Sequence, residues 1–167
     1  MAGAGPLTRI DAVFYRMKFA HEAADILAPA RSAEGRSHYG TQRALYLSAS
    51  AKGTVIASRR YFAPGDPPRA IFPLHVTADR IVDLRDPSAT RHFGIDTTHR
   101  TAEWQESRAR GEPAPTWAIS DRVRALGLQG MLYASRSDPA GTTHLTLFRW
   151  NEPGGAIVSP AGSAMPY

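Results

Sequence analysis

The sequence contains no cysteine, which excludes disulfides, thiolate metal sites and thiol nucleophiles. Any metal would need histidine and carboxylate ligands. The six histidines (His21, His38, His75, His92, His99 and His144) are scattered, with no HExxH pair and no ligand spacing, so no metal is expected. No apolar run approaches the roughly 18 residues of a membrane span. The opening "MAGAGPLTRIDAVFY" lacks a basic stretch followed by a long apolar one, so it does not read as a secretory signal and no membrane is expected. The expected location is cytoplasmic, which suits the missing cysteine. No GxGxxG or GxxxxGK[ST] is present, so no nucleotide is held by a Rossmann or P-loop device. No G-x-S-x-G elbow supports a Ser-His-Asp hydrolase. Lysine is scarce too, with Lys18 and Lys52 the whole complement.

What remains is an ordinary globular composition, 43% apolar and 21% charged over 167 residues, a length that suits one core. The formal net charge is +5, unevenly spread. Residues 15–61 hold eight basic side chains (Arg16, Lys18, Arg31, Arg36, Arg43, Lys52, Arg59, Arg60) against three acids (Glu22, Asp25, Glu34). Such an imbalance points to an anionic partner or to a solvated basic face.

The β-branched and aromatic "AVFYRMKF" predicts a strand and "AHEAADILA" a helix broken at Pro29. "ALYLSA" reads as a short strand, followed by the helix "SAKGTVIASRRYF", weakened by Gly53, and the loop "APGDPP". "RAIFPLHVTA" and "RIVDLRD" read as two strands with a turn at Ala78 and Asp79. One or two short helices are expected in 88–118. "SDRVRALGL" reads as a helix capped by Ser120 or Asp121 and ended near Gly127. "GMLYAS" and "THLTLFRW" predict two strands joined by the turn "RSDPAGT". Residues 1–150 are expected to form one domain, and the Gly/Pro/Ser-rich 151–167 a loose tail. Irregularly inserted helices among short strands predict an α+β domain with mostly antiparallel sheet.

Arg16 ends the first strand, Arg36 follows 20 positions later, Tyr46 10 beyond that, and Ser135 closes a later strand. The segments "FYR", "GRSH", "ALYLSAS", "GMLYAS" and "LTLF", in this order across residues 13–150, resemble the RES domain, the toxin half of bacterial toxin–antitoxin pairs. Each segment is weakly specific alone, and their order is more so. Two departures stand out. The family's Trp-Asn in the Gly-Arg loop is Ser37-His38 here. The helix position 11 residues after Tyr46, where the family places a glutamate, is Ala57.

The resemblance implies a compact ADP-ribosyltransferase-like fold. It also implies an NAD-cleaving activity, as a glycosyltransferase-type ADP-ribosyltransferase acting on a protein or as an NAD glycohydrolase or phosphorylase. NAD is then the substrate. Arg16 and Arg36 would clamp its pyrophosphate, because guanidinium meets phosphate bidentately. Tyr46 would stack on nicotinamide or ribose, and Ser135 would hydrogen-bond ribose or phosphate. The same residues have plainer readings: ion-paired arginines, a core tyrosine, and a strand-end serine capping a turn. Cleavage passes through an oxocarbenium-like state that a nearby carboxylate stabilises, and with Ala57 that carboxylate is gone. Losing one such preorganised group costs on the order of 100- to 1000-fold in rate. Alanine fits either a deliberate Glu-to-Ala replacement or a natural variant whose acid lies elsewhere or whose activity is lost.

The implied partners are a cognate helix-turn-helix antitoxin and an acceptor protein for ADP-ribose, with nucleic acid reached only through the antitoxin. One rival reading is a basic nucleic-acid-binding module, but no helix-turn-helix pattern, RNP-like strand or lysine-rich face supports it. Another is a catalytically dead NAD-pocket protein that acts only by binding its antitoxin.

Overall fold

A β-strand turns successive side chains to opposite faces. Three strands of the computed structural model, which describes residues 6–167, use that alternation to separate a core from a cavity. They are β2 (Leu45–Ser48), β4 (Gly130–Ala134) and β5 (Thr143–Leu147). Leu45, Leu47, Leu132, Leu145 and Leu147 join Phe14, Leu74, Val76, Ile81 and Trp150 in one buried cluster. The intervening Tyr46, Ser48, Tyr133 and His144 line a cavity, which Leu47 also borders.

These strands are framed by a long antiparallel ribbon of β1 (Thr8–Phe19) and β3 (Arg69–Asp83), in register from Phe19↔Arg69 to Ile10↔Ala78. The sheet runs β1-β2-β5-β4-β3, and the β1–β3 pairing closes it into a circuit. Only β3–β4 is parallel among these pairs. Closure removes edges that would otherwise be open to other chains.

The turn expected at Ala78 and Asp79 is absent, and β3 is continuous there. The register slips between Thr8 and Ile10 opposite this point, so the polar residues form a bulge. Gln129 Oε1 accepts the backbone N–H of both Asp79 and Arg80 at 3.0 Å, which satisfies the amides a bulge leaves unpaired.

The loose tail expected for 151–167 is likewise corrected. β6 (Ile157–Pro160) and β7 (Met165–Pro166) pair antiparallel with β3. The Asn151 side chain donates to Val158 O at 2.9 Å and accepts from Val158 N at 2.8 Å. Ala156 and Val158 reach the core. A segment rich in Gly and Pro is thus ordered by partners some eighty residues away in the sequence, which its composition does not reveal.

The helices are short. The first expected helix is a 3-10 stretch, Ala20–Asp25. α1 (Ala51–Ser58) is capped by Ser50, which accepts from Gly53 N at 3.0 Å, and runs into a 3-10 turn, Arg59–Tyr61. α2 (Pro87–His92) and α3 (Trp104–Ala109) follow. α4 (Trp117–Ala125) starts earlier than expected: its cap position is Thr116, and Ser120 is buried inside it with its hydroxyl donating to Trp117 O. Gly127, at φ 70°, ends it as expected. Ile119 and Val123 of α4 close a second cluster with Val82, Phe93, Leu128, Met131 and Phe148. No helix among the described residues is long and apolar enough to cross a membrane.

Candidate functional site

Cross-strand pairing sets Ser48 opposite His144, and His144 opposite Tyr133. Ser48 Oγ and His144 Nδ1 share a hydrogen bond of 2.8 Å. Burial, helped by the charge of Arg36, lowers the His144 pKa to about 4, so the imidazole is neutral at pH 7. The Tyr133 hydroxyl bonds Thr146 Oγ1 at 2.9 Å. Burial raises the pKa of Tyr133 and of Tyr46, and both phenols stay protonated.

The loop of residues 35–38 is clamped onto this face by α4. Its three successive carbonyls each receive a donor: Trp117 Nε1 to Gly35 O at 2.8 Å, Thr116 Oγ1 to Arg36 O at 2.6 Å, and Arg124 Nη2 to Ser37 O at 2.8 Å. The Tyr46 hydroxyl accepts Ser37 N–H at 3.0 Å and lies 2.7 Å from His38 Nδ1, while His38 Nε2 lies 2.8 Å from Ser32 O. Burial lowers the His38 pKa, so the neutral ring donates from Nε2 and accepts the Tyr46 proton at Nδ1. The Ser37-His38 departure is therefore wired directly to Tyr46. Gly35 permits this approach: a Cβ there would lie 2.4 Å from His38 Cε1 and 2.9 Å from the Tyr46 hydroxyl.

α1 also lines the cavity. Its Gly53 is buried against β2, where a Cβ would meet Ser48 Cβ at 3.0 Å. One turn on, Ala57 is exposed and lines the cavity with Thr54 and Ser58. The Ala57 methyl fills little of that space.

The cavity is about 530 Å³, within the usual range for small-molecule sites. Arg16, Arg36, Tyr46, Ala57 and Ser135, far apart in sequence, all line it. They differ in how free they are. Arg16 is buried, its Nη1 donating to Ile26 O at 2.6 Å and Ala28 O at 2.7 Å, and burial lowers its pKa to about 10. It anchors the chain beneath the cavity. Ser135 is buried as well, and its Oγ accepts the N–H of Ser137 and Asp138 at 3.2 Å each, so it caps the β4–β5 turn. Arg36 is half-buried, its guanidinium donating to the carbonyls of Arg100 and Ala102. Its pKa is lowered chiefly by burial.

Sequence reasoning missed several cavity residues. His144, Tyr133 and Ser48 were recoverable by carrying the alternation of "ALYLS" across to "GMLYAS" and "THLTL". Arg60 and Arg136, which also line the wall and both pair with Glu103, carry no signal in sequence. Glu34 lines the cavity but is engaged by Arg108 through two bonds of 3.0 Å. Among the described residues no three histidine or carboxylate side chains converge as a metal ligand set.

Comparison with known proteins gives a consistent outcome. The family model described as the RES domain matches residues 6–167. No curated protein matches the chain. Among solved structures, a chain of the M. tuberculosis MbcT–MbcA toxin–antitoxin complex is similar at 18% identity, with a TM-score of 0.61, covering 96% of this chain and 86% of that one. At that identity the likeness speaks to the fold.

Proposed function

The chain belongs to the RES domain family, and from that premise we propose that it is the toxin of a toxin–antitoxin pair, built to cleave NAD and impaired at position 57. The carrying observation is the convergence of Arg36, Tyr46, Ser135 and Ala57 on one cavity of ligand size. In this reading the fold is ADP-ribosyltransferase-like. Arg36 supplies charge for the pyrophosphate, with Arg16 behind it. Tyr46, held protonated and fixed by Ser37 and His38, offers its ring to nicotinamide or ribose.

Cleavage breaks the bond between the nicotinamide nitrogen and ribose C1′. The electron pair leaves with nicotinamide, and water, phosphate or a protein side chain attacks C1′ and gives up a proton. A glutamate at position 57 would face the cation that develops at C1′ and hold a ribose hydroxyl. Alanine leaves that place open. His144 and Ser48, on the paired strands β5 and β2 that line the cavity, provide a neutral hydrogen-bonding pair but no charge.

Ala57→Glu should raise nicotinamide release by at least about 100-fold and make expression harmful to a bacterial host. Incubation with NAD, with and without cell extract, separates free ADP-ribose from labelled protein. An Ala57→Glu chain that folds and binds NAD yet releases no nicotinamide would refute the catalytic reading.

The partner follows from the same premise. The similar structure is of a toxin in complex with an antitoxin, and a cognate antitoxin carrying a helix-turn-helix domain would cover the cavity mouth. Nucleic acid would then be reached through that partner. The open methyl at position 57 favours one second reading, a catalytically silent protein whose remaining role is to bind its antitoxin. Co-purification from the native operon without NAD turnover, even after Ala57→Glu, would select it.

A further inference from the structure

Four arginines line the cavity, and all four are engaged by the protein itself. Arg16 is held by the carbonyls of Ile26 and Ala28. The other three converge on four consecutive residues, 100–103. Arg36 donates to the carbonyls of Arg100 and Ala102. Arg60, in the turn after α1, lies 3.6 Å from the carboxylate of Glu103, and Arg136, in the β4–β5 turn, pairs with the other oxygen of the same carboxylate.

Three cations from three distant parts of the chain thus share one strap. Removed from it, they would face one another across the mouth of the cavity. Arg60 and Arg136 already add their repulsion to the burial that lowers the Arg36 pKa. Like charges gathered in this way need an anion among them. Glu103 supplies one charge, and the two carbonyls supply dipoles.

We propose that Arg60 and Arg136 form, with Arg36, a subsite for a phosphate or pyrophosphate group, and that residues 100–103 occupy it as an internal substitute for that ligand. The identity of the ligand rests on the reading of the cavity given above; the self-occupied subsite rests on the contacts alone. The strap suits displacement. The side chains of Arg60, Glu103 and Arg136 are each about one-third exposed, and ion pairs so exposed contribute little net stability. A doubly charged pyrophosphate meets guanidinium groups bidentately and so competes well for all three. Leaving the cations, the strap would carry with it Trp104 and Gln105, the adjoining cavity-lining residues at the start of α3. Ligand entry and widening of the mouth become one event.

The test uses the full chain, inorganic pyrophosphate as probe, and titration calorimetry at low ionic strength. Glu103→Gln keeps the shape of the strap and removes its charge. It should bind pyrophosphate about tenfold more tightly than the unaltered chain, and adding Arg60→Ala and Arg136→Ala should abolish the gain. Glu152→Gln, which removes an acid paired with Arg149, controls for net charge and should leave affinity unchanged. Equal or weaker binding by Glu103→Gln overturns the proposal. So does a gain that Glu152→Gln reproduces or that survives loss of both arginines, and so does absence of pyrophosphate binding in every variant. NAD cleavage by Ala57→Glu is read separately: a chain inert to NAD that still shows the Glu103→Gln gain refutes the enzymatic reading and keeps the subsite.

Discussion

His144 should make the protein sensitive to mild acid. The imidazole is 7% exposed, bonded to Ser48, flanked by Tyr133 and within the field of Arg36. Its pKa falls from the usual 6.5 to about 4. The unfolded chain therefore takes up a proton at a pH where the native chain refuses it. Above the unfolded pKa neither state is protonated, and the group has no effect. As pH falls from 6.5 towards 4, protonation favours the unfolded state. With these two values the loss is about 2 kcal/mol at pH 5 and approaches about 3 kcal/mol near pH 4. Carboxylates such as Asp66 and Asp83, held below the usual carboxylate range by hydrogen bonds from Ala63 and Arg69 and from Arg85, begin to lose their contribution only below about pH 5. His38, also lowered by burial, acts in the same direction, so the contribution of His144 must be taken as a difference. Urea unfolding of the native chain and of His144→Asn, followed from pH 8 to pH 5, provides it. An asparagine oxygen can replace Nδ1 as partner of Ser48 without titrating. The native chain should lose about 2 kcal/mol more than the variant over that range. Equal losses, or an NMR titration placing His144 near 6.5, would refute the reasoning.

Three further outcomes follow from the packing. Arg16→Ala should cost about 3 kcal/mol of stability, because the carbonyls of Ile26 and Ala28 lose a charged donor; thermal unfolding unchanged within a degree would show that Arg16 is no anchor. Gly35→Ala should destabilise by about 1–3 kcal/mol, since the new methyl overlaps His38 and crowds Tyr46, and a melting temperature equal to that of the native chain would refute the tight loop. Deleting residues 157–167 bares the outer edge of β3 and should produce self-association on light scattering; a monodisperse, equally stable shortened chain would show that β6 and β7 contribute nothing.

Much of the fold was legible because local patterns agree with it. "ALYLS", "GMLYA" and "THLTL" alternate, and each is a strand with leucines inward. Their tyrosines and hydroxyls mark the cavity face only once the strands are known to be neighbours. Convergence of Arg36, Tyr46, Ala57 and Ser135 was expected from the order of motifs, and all four line one cavity. What they do there was less legible. Arg16 carries structural hydrogen bonds that no spacing reveals, whereas Ser135 caps the turn after its strand, the plainer of the two readings open to it. The break expected at Ala78 and Asp79 is absent from β3, because the amides of Asp79 and Arg80 are satisfied by Gln129 from far along the chain. The Glu103 strap was invisible for the same reason: Arg36 meets it across 64 and 66 residues, and no local pattern encodes such a meeting.

The four residues of β2 have a mechanical consequence. Leu45 and Leu47 belong to the core, Tyr46 and Ser48 to the cavity, and they share one short ribbon with no spare length. A single inserted or deleted residue would exchange the two sets, burying a phenol among leucines and pointing leucine at the ligand space. Core and site are therefore inherited together. Lengthening is tolerated only in the turns on either side of the strand, and any library that seeks new chemistry in this cavity should vary side chains there while holding the length of β2 fixed.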